Sequence, residues 1–226
     1  RDEAAGHIHD IMRKYADVAE AEINSILETK KISDDLRGIK RPDEGRHIAD
    51  DIDTEVVDAL LEAVADRFDI AKRYYALKAR LMGVSKFAYH ERNVPFGSVE
   101  KNYSYADGVA IIRDVFLRLD SQFADIFQQF VESGLVDVFP KKGKTGGAFC
   151  AHVLLSQPTY ILLNHTGKLK DVLTLAHESG HGINNEMMRG KQHALYFDTP
   201  VSTAEVASTF MEDFVLGRLM EEGDNE

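Results

Sequence analysis

The stretch "TLAHESGHGIN", Thr174 to Asn184, sets His177 and His181 four residues apart with Glu178 between them. On an α-helix, residues i and i+4 are rotated by only about 40° and separated by about 6 Å along the axis, so both imidazoles project from one face. Two imidazoles so placed can hold a single tetrahedral metal ion. Glu178 lies about 100° round the helix from His177, too far to join the same clamp but near enough to reach a water on the metal. A carboxylate there can take a proton from water whose pKa a zinc ion has lowered to about 7. Five residues therefore supply two ligands and a general base.

A catalytic zinc that keeps one position open needs a third protein ligand. Glu205, 24 residues beyond His181, is the leading candidate. Spacing alone leaves a second role equally open. Ser202-Thr203-Ala204-Glu205 has capping-box spacing, in which Glu205 would bond back to the Ser202 backbone. Glu212, seven residues further on the same face, reads either as a partner behind a ligand or as a solvated carboxylate. Cys150 and His152 alternate on a strand-like run, but no base and orienting group accompany them, so packing is the simpler role for the thiol. Gly143, Gly146 and Gly147 lack the Gly-Lys-Ser/Thr ending of a phosphate loop and read as a tight turn.

The elements that must position these residues are mostly helical. Apolar residues recur at three- and four-residue spacing from Glu55 to a cap at Gly83, and again from a Ser104/Asp107 capping box to Gly134. The first thirty residues also read as helix, and "KKISDDLRGIKRPDEG" as loop. After Pro140, "GGAFCAH" and "PTYILLNHTG" look like two strands of a small antiparallel sheet. Helical spacing then returns through the histidine pair, with Leu169, Val172, Leu173 and Ala176 on one face, and once more in "STAEVASTFMEDFVLGRLMEEG". The expected fold is mainly α with that small sheet. It divides into a helical region (1–139) and a sheet-plus-helix-pair region (140–226) within one continuous domain.

Bulk properties narrow the function. The 226-residue chain carries 27 Lys+Arg against 38 Asp+Glu, a net charge of −11, which disfavours nucleic acid and anionic membranes as partners. A single cysteine, Cys150, permits no internal disulfide and is compatible with a cytoplasmic location. No apolar run approaches the roughly 20 residues of a membrane helix. The chain lacks an initiator Met and starts in what reads as helix, so it reads as an internal piece of a longer protein.

"LAHESGHGIN" followed by "STAEVASTFMED" resembles the M3 zinc metallopeptidases, and most of all their oligoendopeptidase F branch. The likeness continues upstream through "RYYALKARLMG", "YHERNVPFG", "GKTGGAFC" and "TYILLNHTG", and so covers nearly the whole chain. It implies a zincin-type (gluzincin) catalytic core, incomplete here. It further implies one Zn2+ per chain held by His177, His181 and Glu205, with Glu178 as base and proton shuttle. Short peptides cut internally would be the substrates. Two departures stand out. Asn184 occupies a position where many M3 members carry a further histidine. The family's N-terminal lobe, and the C-terminal Tyr and His donors that stabilise the oxyanion, are not in this chain, and nothing in the sequence promotes Tyr196 or His193 to those roles. A catalytically silent peptide-binding or structural module is therefore the rival expectation.

Overall fold

The computed structural model describes residues 1–97 and 101–223. The chain divides into two compact units, Arg1–Val99 and Glu100–Glu226.

The first unit is helical: α1 (Asp2–Lys14), α2 (Ala16–Arg37), α3 (Glu44–Ala49), α4 (Thr54–Ala65) and α5 (Phe68–Leu81). Among its described residues only His47, Lys78 and Ala79 are buried, and apolar side chains such as Ile11, Ile26 and Leu60 stay more than half exposed. Two expectations need correction here. The segment from Lys30 to Arg37, expected as loop, is the last part of α2, which ends at Gly38 in the left-handed region (φ 74°). α2 buries no residue and polar side chains dominate this segment; the Lys30–Asp34 pair one turn apart lends it local support. The expected single helix from Glu55 to Gly83 is two, because the ladder tightens to three-residue bonds at Arg67 N–H to Val64 O (3.1 Å) and Ile70 N–H to Arg67 O (3.0 Å).

The second unit holds every residue of the candidate site. It runs α6 (Tyr105–Leu119), α7 (Ser121–Glu132), β1 (Val136–Asp137), β2 (Phe149–Ala151), β3 (Tyr160–Leu162), α8 (Leu169–Arg189) and α9 (Val201–Gly223). Ser104 caps α6 as expected: the Asp107 N–H donates to Ser104 Oγ (3.1 Å) and the Ser104 N–H to Asp107 Oδ2 (3.0 Å). The single helix expected to follow is broken at Asp120, whose backbone is extended (φ −162°, ψ 134°) and whose carboxylate accepts the Gln122 N–H at 2.8 Å. Apolar spacing carries across such a one-residue break and cannot reveal it.

The sheet is mixed, in the order β1-β3-β2. The expected antiparallel pair is β2 with β3, in register Cys150 with Ile161, while β1 adds a parallel strand that two residues are too few to signal. One face of the sheet and helices α6, α7 and α9 pack around α8. The core includes Ile112, Phe116, Phe127, Phe130, Ile161, Val172, Leu175, Ile183 and Val215, with the Phe116 and Phe127 rings edge to face at 5.4 Å.

Two glycines let α8 sit so deep. A Cβ on Gly180 would lie 2.6 Å from Ser208 Cα and 2.7 Å from Ala207 O, both backbone atoms of α9. A Cβ on Gly182 would lie 2.7 Å from the Phe130 ring of α7. Gly180→Ala must therefore force α8 and α9 apart, and we expect a loss of about 1–3 kcal/mol of stability in urea unfolding. Gly190→Ala, where nothing lies within 4 Å, should stay within about 0.5 kcal/mol of wild type. Equal effects would contradict the close crossing.

Candidate active site

His177, Glu178 and His181 occupy the middle of α8, and Glu205 lies in the first turns of α9. His177 Nε2 is 3.3 Å and His181 Nε2 is 3.6 Å from the same oxygen, Glu205 Oε2. The candidate ligand atoms of His177, His181 and Glu205 all lie within 4.8 Å of one another. The two imidazoles meet edge to face, centroids 4.9 Å apart. Because α9 begins at Val201, Ser202 falls inside the first turn and not at the cap position, and the Glu205 carboxylate points across to α8.

His177 and Glu205 are each held from behind. His177 Nδ1 is 2.9 Å from Glu212 Oε2, so Glu212 is more than a solvated carboxylate. A Nδ1–H donated there leaves the Nε2 lone pair free to face Glu205. Burial lowers the His181 pKa, against the pull of the Glu205 charge, and so favours the neutral imidazole that can act as a ligand. The Ser208 hydroxyl, on the buried side of α9, sits 2.9 Å from Glu205 Oε2. This contact was not foreseen; its one trace in the sequence is a small hydroxyl residue one turn after the glutamate.

Glu178 is buried, and its pKa is raised. Removal from water is the main cause; the His177 charge opposes it and the Glu205 carboxylate adds to it. A carboxyl so tuned moves toward the range in which it can both accept and return a proton near neutral pH.

The cavity around these groups measures about 360 Å³ and is walled on one side by Phe149, Cys150 and His152 of the β2 segment. β2 is an edge strand of the sheet, and its residues Phe149 and Cys150 line that cavity. A neighbouring space of about 560 Å³ shares His177 and Glu178 and extends past Asn164 and Lys168. The glycine turn before β2 is tied to β3 by Asn164 Nδ2, which donates to Thr145 O (2.9 Å) and Gly147 O (2.8 Å). At the other end of β2, Arg189 of α8 donates to the Leu155 carbonyl at 2.6 Å and to both Glu186 oxygens. Tyr196 is 71% exposed, and His193 Nδ1 accepts the Leu195 N–H in a 3-10 turn.

Fold and site together define a class: a helical protein whose H-E-x-x-H helix is crossed by a second helix bearing a carboxylate. Residues 1–223 match the profile of Peptidase family M3, and the chain belongs to that family. It is 27% identical over 172 residues to the chromosomal oligoendopeptidase F of Lactococcus lactis subsp. cremoris, covering 76% of this chain and 28% of that protein. Oligopeptidase PepF of Bacillus subtilis (strain 168) is 27% identical over 176 residues, covering 76% of this chain and 26% of the relative. This chain thus spans little more than a quarter of the length of these relatives. A crystal structure provisionally named an oligoendopeptidase F, from Bacillus anthracis str. Ames, aligns with TM-score 0.71 at 25% identity, over 87% of this chain and 38% of that one. PZ peptidase A, solved with an inhibitor, shares the fold at TM-score 0.73 and 20% identity, over 90% of this chain and 37% of its own.

Cys150 is packed against α8. Its Sγ is 3.6 Å from Asn185 Nδ2, and its pKa is pushed up to about 12 from 9.0, by burial first and then by the Glu178 charge. Between pH 9 and 12 the native thiol keeps a proton that the unfolded chain has shed, so native stability falls as pH rises through that window. Urea midpoints followed over this range should fall more steeply for wild type than for Cys150→Ala. Parallel curves would show that the thiol titrates normally.

Proposed function

We propose that this chain carries the metal-binding and proton-transfer residues of a zinc-dependent oligopeptidase that cuts internal bonds of short peptides. The observation that carries the reading is the convergence of three ligand atoms within 4.8 Å beside a buried, proton-accepting Glu178. Two imidazole nitrogens and one carboxylate oxygen form a donor set that suits zinc and leaves a coordination position open. His177, His181 and Glu205 would hold the ion. Bound there, zinc supplies a Lewis acid that polarises the scissile carbonyl and makes water more acidic.

The chain's own groups do the rest. Glu212 fixes the orientation of His177 through Nδ1. Glu178 accepts a proton from the attacking water and delivers it to the nitrogen of the departing amine, as its raised pKa permits. The outer edge of β2 can pair with an extended peptide through main-chain hydrogen bonds, so that side chains are little discriminated. The names of the relatives, oligoendopeptidase and oligopeptidase, support short peptides as substrates. On this reading residues 1–139 and 140–226 are parts of one catalytic domain. A cytoplasmic location suits the lone, reduced Cys150, and no described helix is long and apolar enough to cross a membrane.

One observation favours a second reading, a silent peptide-binding module. No tyrosine is among the described residues lining the cavity, and removing one oxyanion donor costs about a hundredfold or more in rate. Elemental analysis and a fluorogenic peptide assay on the chain separate the two. We expect about one zinc per chain, lost in His177→Ala. Glu178→Gln should keep the zinc and lose about 10²–10⁴-fold in turnover. Zinc without wild-type turnover would favour the silent module. Undiminished turnover in Glu178→Gln would remove Glu178 from the chemistry.

A further inference from the structure

We infer that Ser208 is a positioning residue: its buried hydroxyl donates to Glu205 Oε2 and holds that oxygen toward His177 and His181. The inference rests on the reading of Glu205 as a metal ligand given above.

Ser208 is fully buried at the crossing of α8 and α9, where its Cα lies against Gly180. Its Oγ is 2.9 Å from Glu205 Oε2 and 3.0 Å from the Glu205 backbone carbonyl. A hydroxyl has one proton to give, so the two acceptors compete. The carbonyl already accepts the Thr209 hydroxyl at 2.5 Å, in addition to its place in the helix ladder. The carboxylate, being charged, is the stronger acceptor. The proton of Ser208 therefore goes to Oε2, the same oxygen that faces both imidazole Nε2 atoms.

The need for such a tether is visible in the Glu205 side chain, which is 57% exposed and rotates about three bonds. An exposed glutamate samples many rotamers, and selecting one costs conformational entropy at the moment of metal binding. A fixed donor beneath one oxygen removes part of that cost beforehand. The competing role, a serine chosen only to be small and to bond back along its own helix, predicts no link to the metal.

The two roles separate in a double-mutant cycle on the 226-residue chain, with zinc affinity read by competition against a chromophoric chelator. Ser208→Ala keeps the residue small and removes only the hydroxyl. We expect it to weaken zinc binding about 10- to 100-fold, with the melting temperature of the metal-free chain unchanged. In a Glu205→Ala background, Ser208→Ala should have no further effect on zinc. Wild-type zinc affinity in Ser208→Ala, or an equal loss in both backgrounds, would overturn the inference. The underlying reading fails in a different way: Glu205→Ala alone would then bind zinc like wild type, and the positioning role would fall with it.

Discussion

The site depends on how closely α8 and α9 approach, and that distance is set by a hydrogen atom where every other residue has carbon. A Cβ at Gly180 would fall 2.6 Å from the α9 backbone, well inside contact distance. With only hydrogen there, the helices cross nearly backbone to backbone, and the short reach of a glutamate suffices to bring Oε2 within 3.3–3.6 Å of both imidazoles. Gly182, on another face of α8, does the same for the Phe130 ring. The tight packing thus costs helix propensity, about 1 kcal/mol per glycine relative to alanine, and sets how α8 meets both α9 and α7.

Charge management follows from that packing. Glu178, Glu205 and Glu212 crowd around two histidines, and each carboxylate has a distinct neighbourhood. Glu178 is buried, and removal from water raises its pKa above the ordinary carboxylate range. Glu205 faces the imidazole pair and the Ser208 hydroxyl, and Glu212 bonds His177 from behind. A divalent cation amid these groups would compensate the negative charge that the cluster otherwise concentrates. The sheet contributes differently. Asn164 and Arg189 tie down the segments that precede and follow β2, the edge strand along the cavity wall.

Much of this was legible in the chain itself. The i, i+4 histidines, the intervening glutamate and the apolar face of α8 announce themselves by period, and Gly83 and Gly134 close their helices in the left-handed region as read. Other features leave no periodic trace. The extended Asp120 breaks one helix between two apolar stripes that remain in phase. The end of α2 buries no residue, and β1 has two residues. Glu205 shows the limit most clearly. Spacing allowed a cap as readily as a ligand; the start of α9 at Val201 and the crossing at Gly180 bring its carboxylate to the histidines. Asn185 and Ser208 are polar residues on buried helix faces, and their partners come from other elements or from geometry that one sequence does not encode.

The most direct test is a zinc-soaked crystal of this chain, with anomalous difference maps on either side of the zinc absorption edge. A zinc site at the α8–α9 crossing requires one strong peak about 2.0–2.2 Å from His177 Nε2, His181 Nε2 and a Glu205 oxygen. The described residues offer a second three-residue grouping at Asp2, His90 and the half-buried Glu91. A peak there with none between α8 and α9, or a peak that leaves Glu205 out of reach, would contradict a zinc site at the crossing.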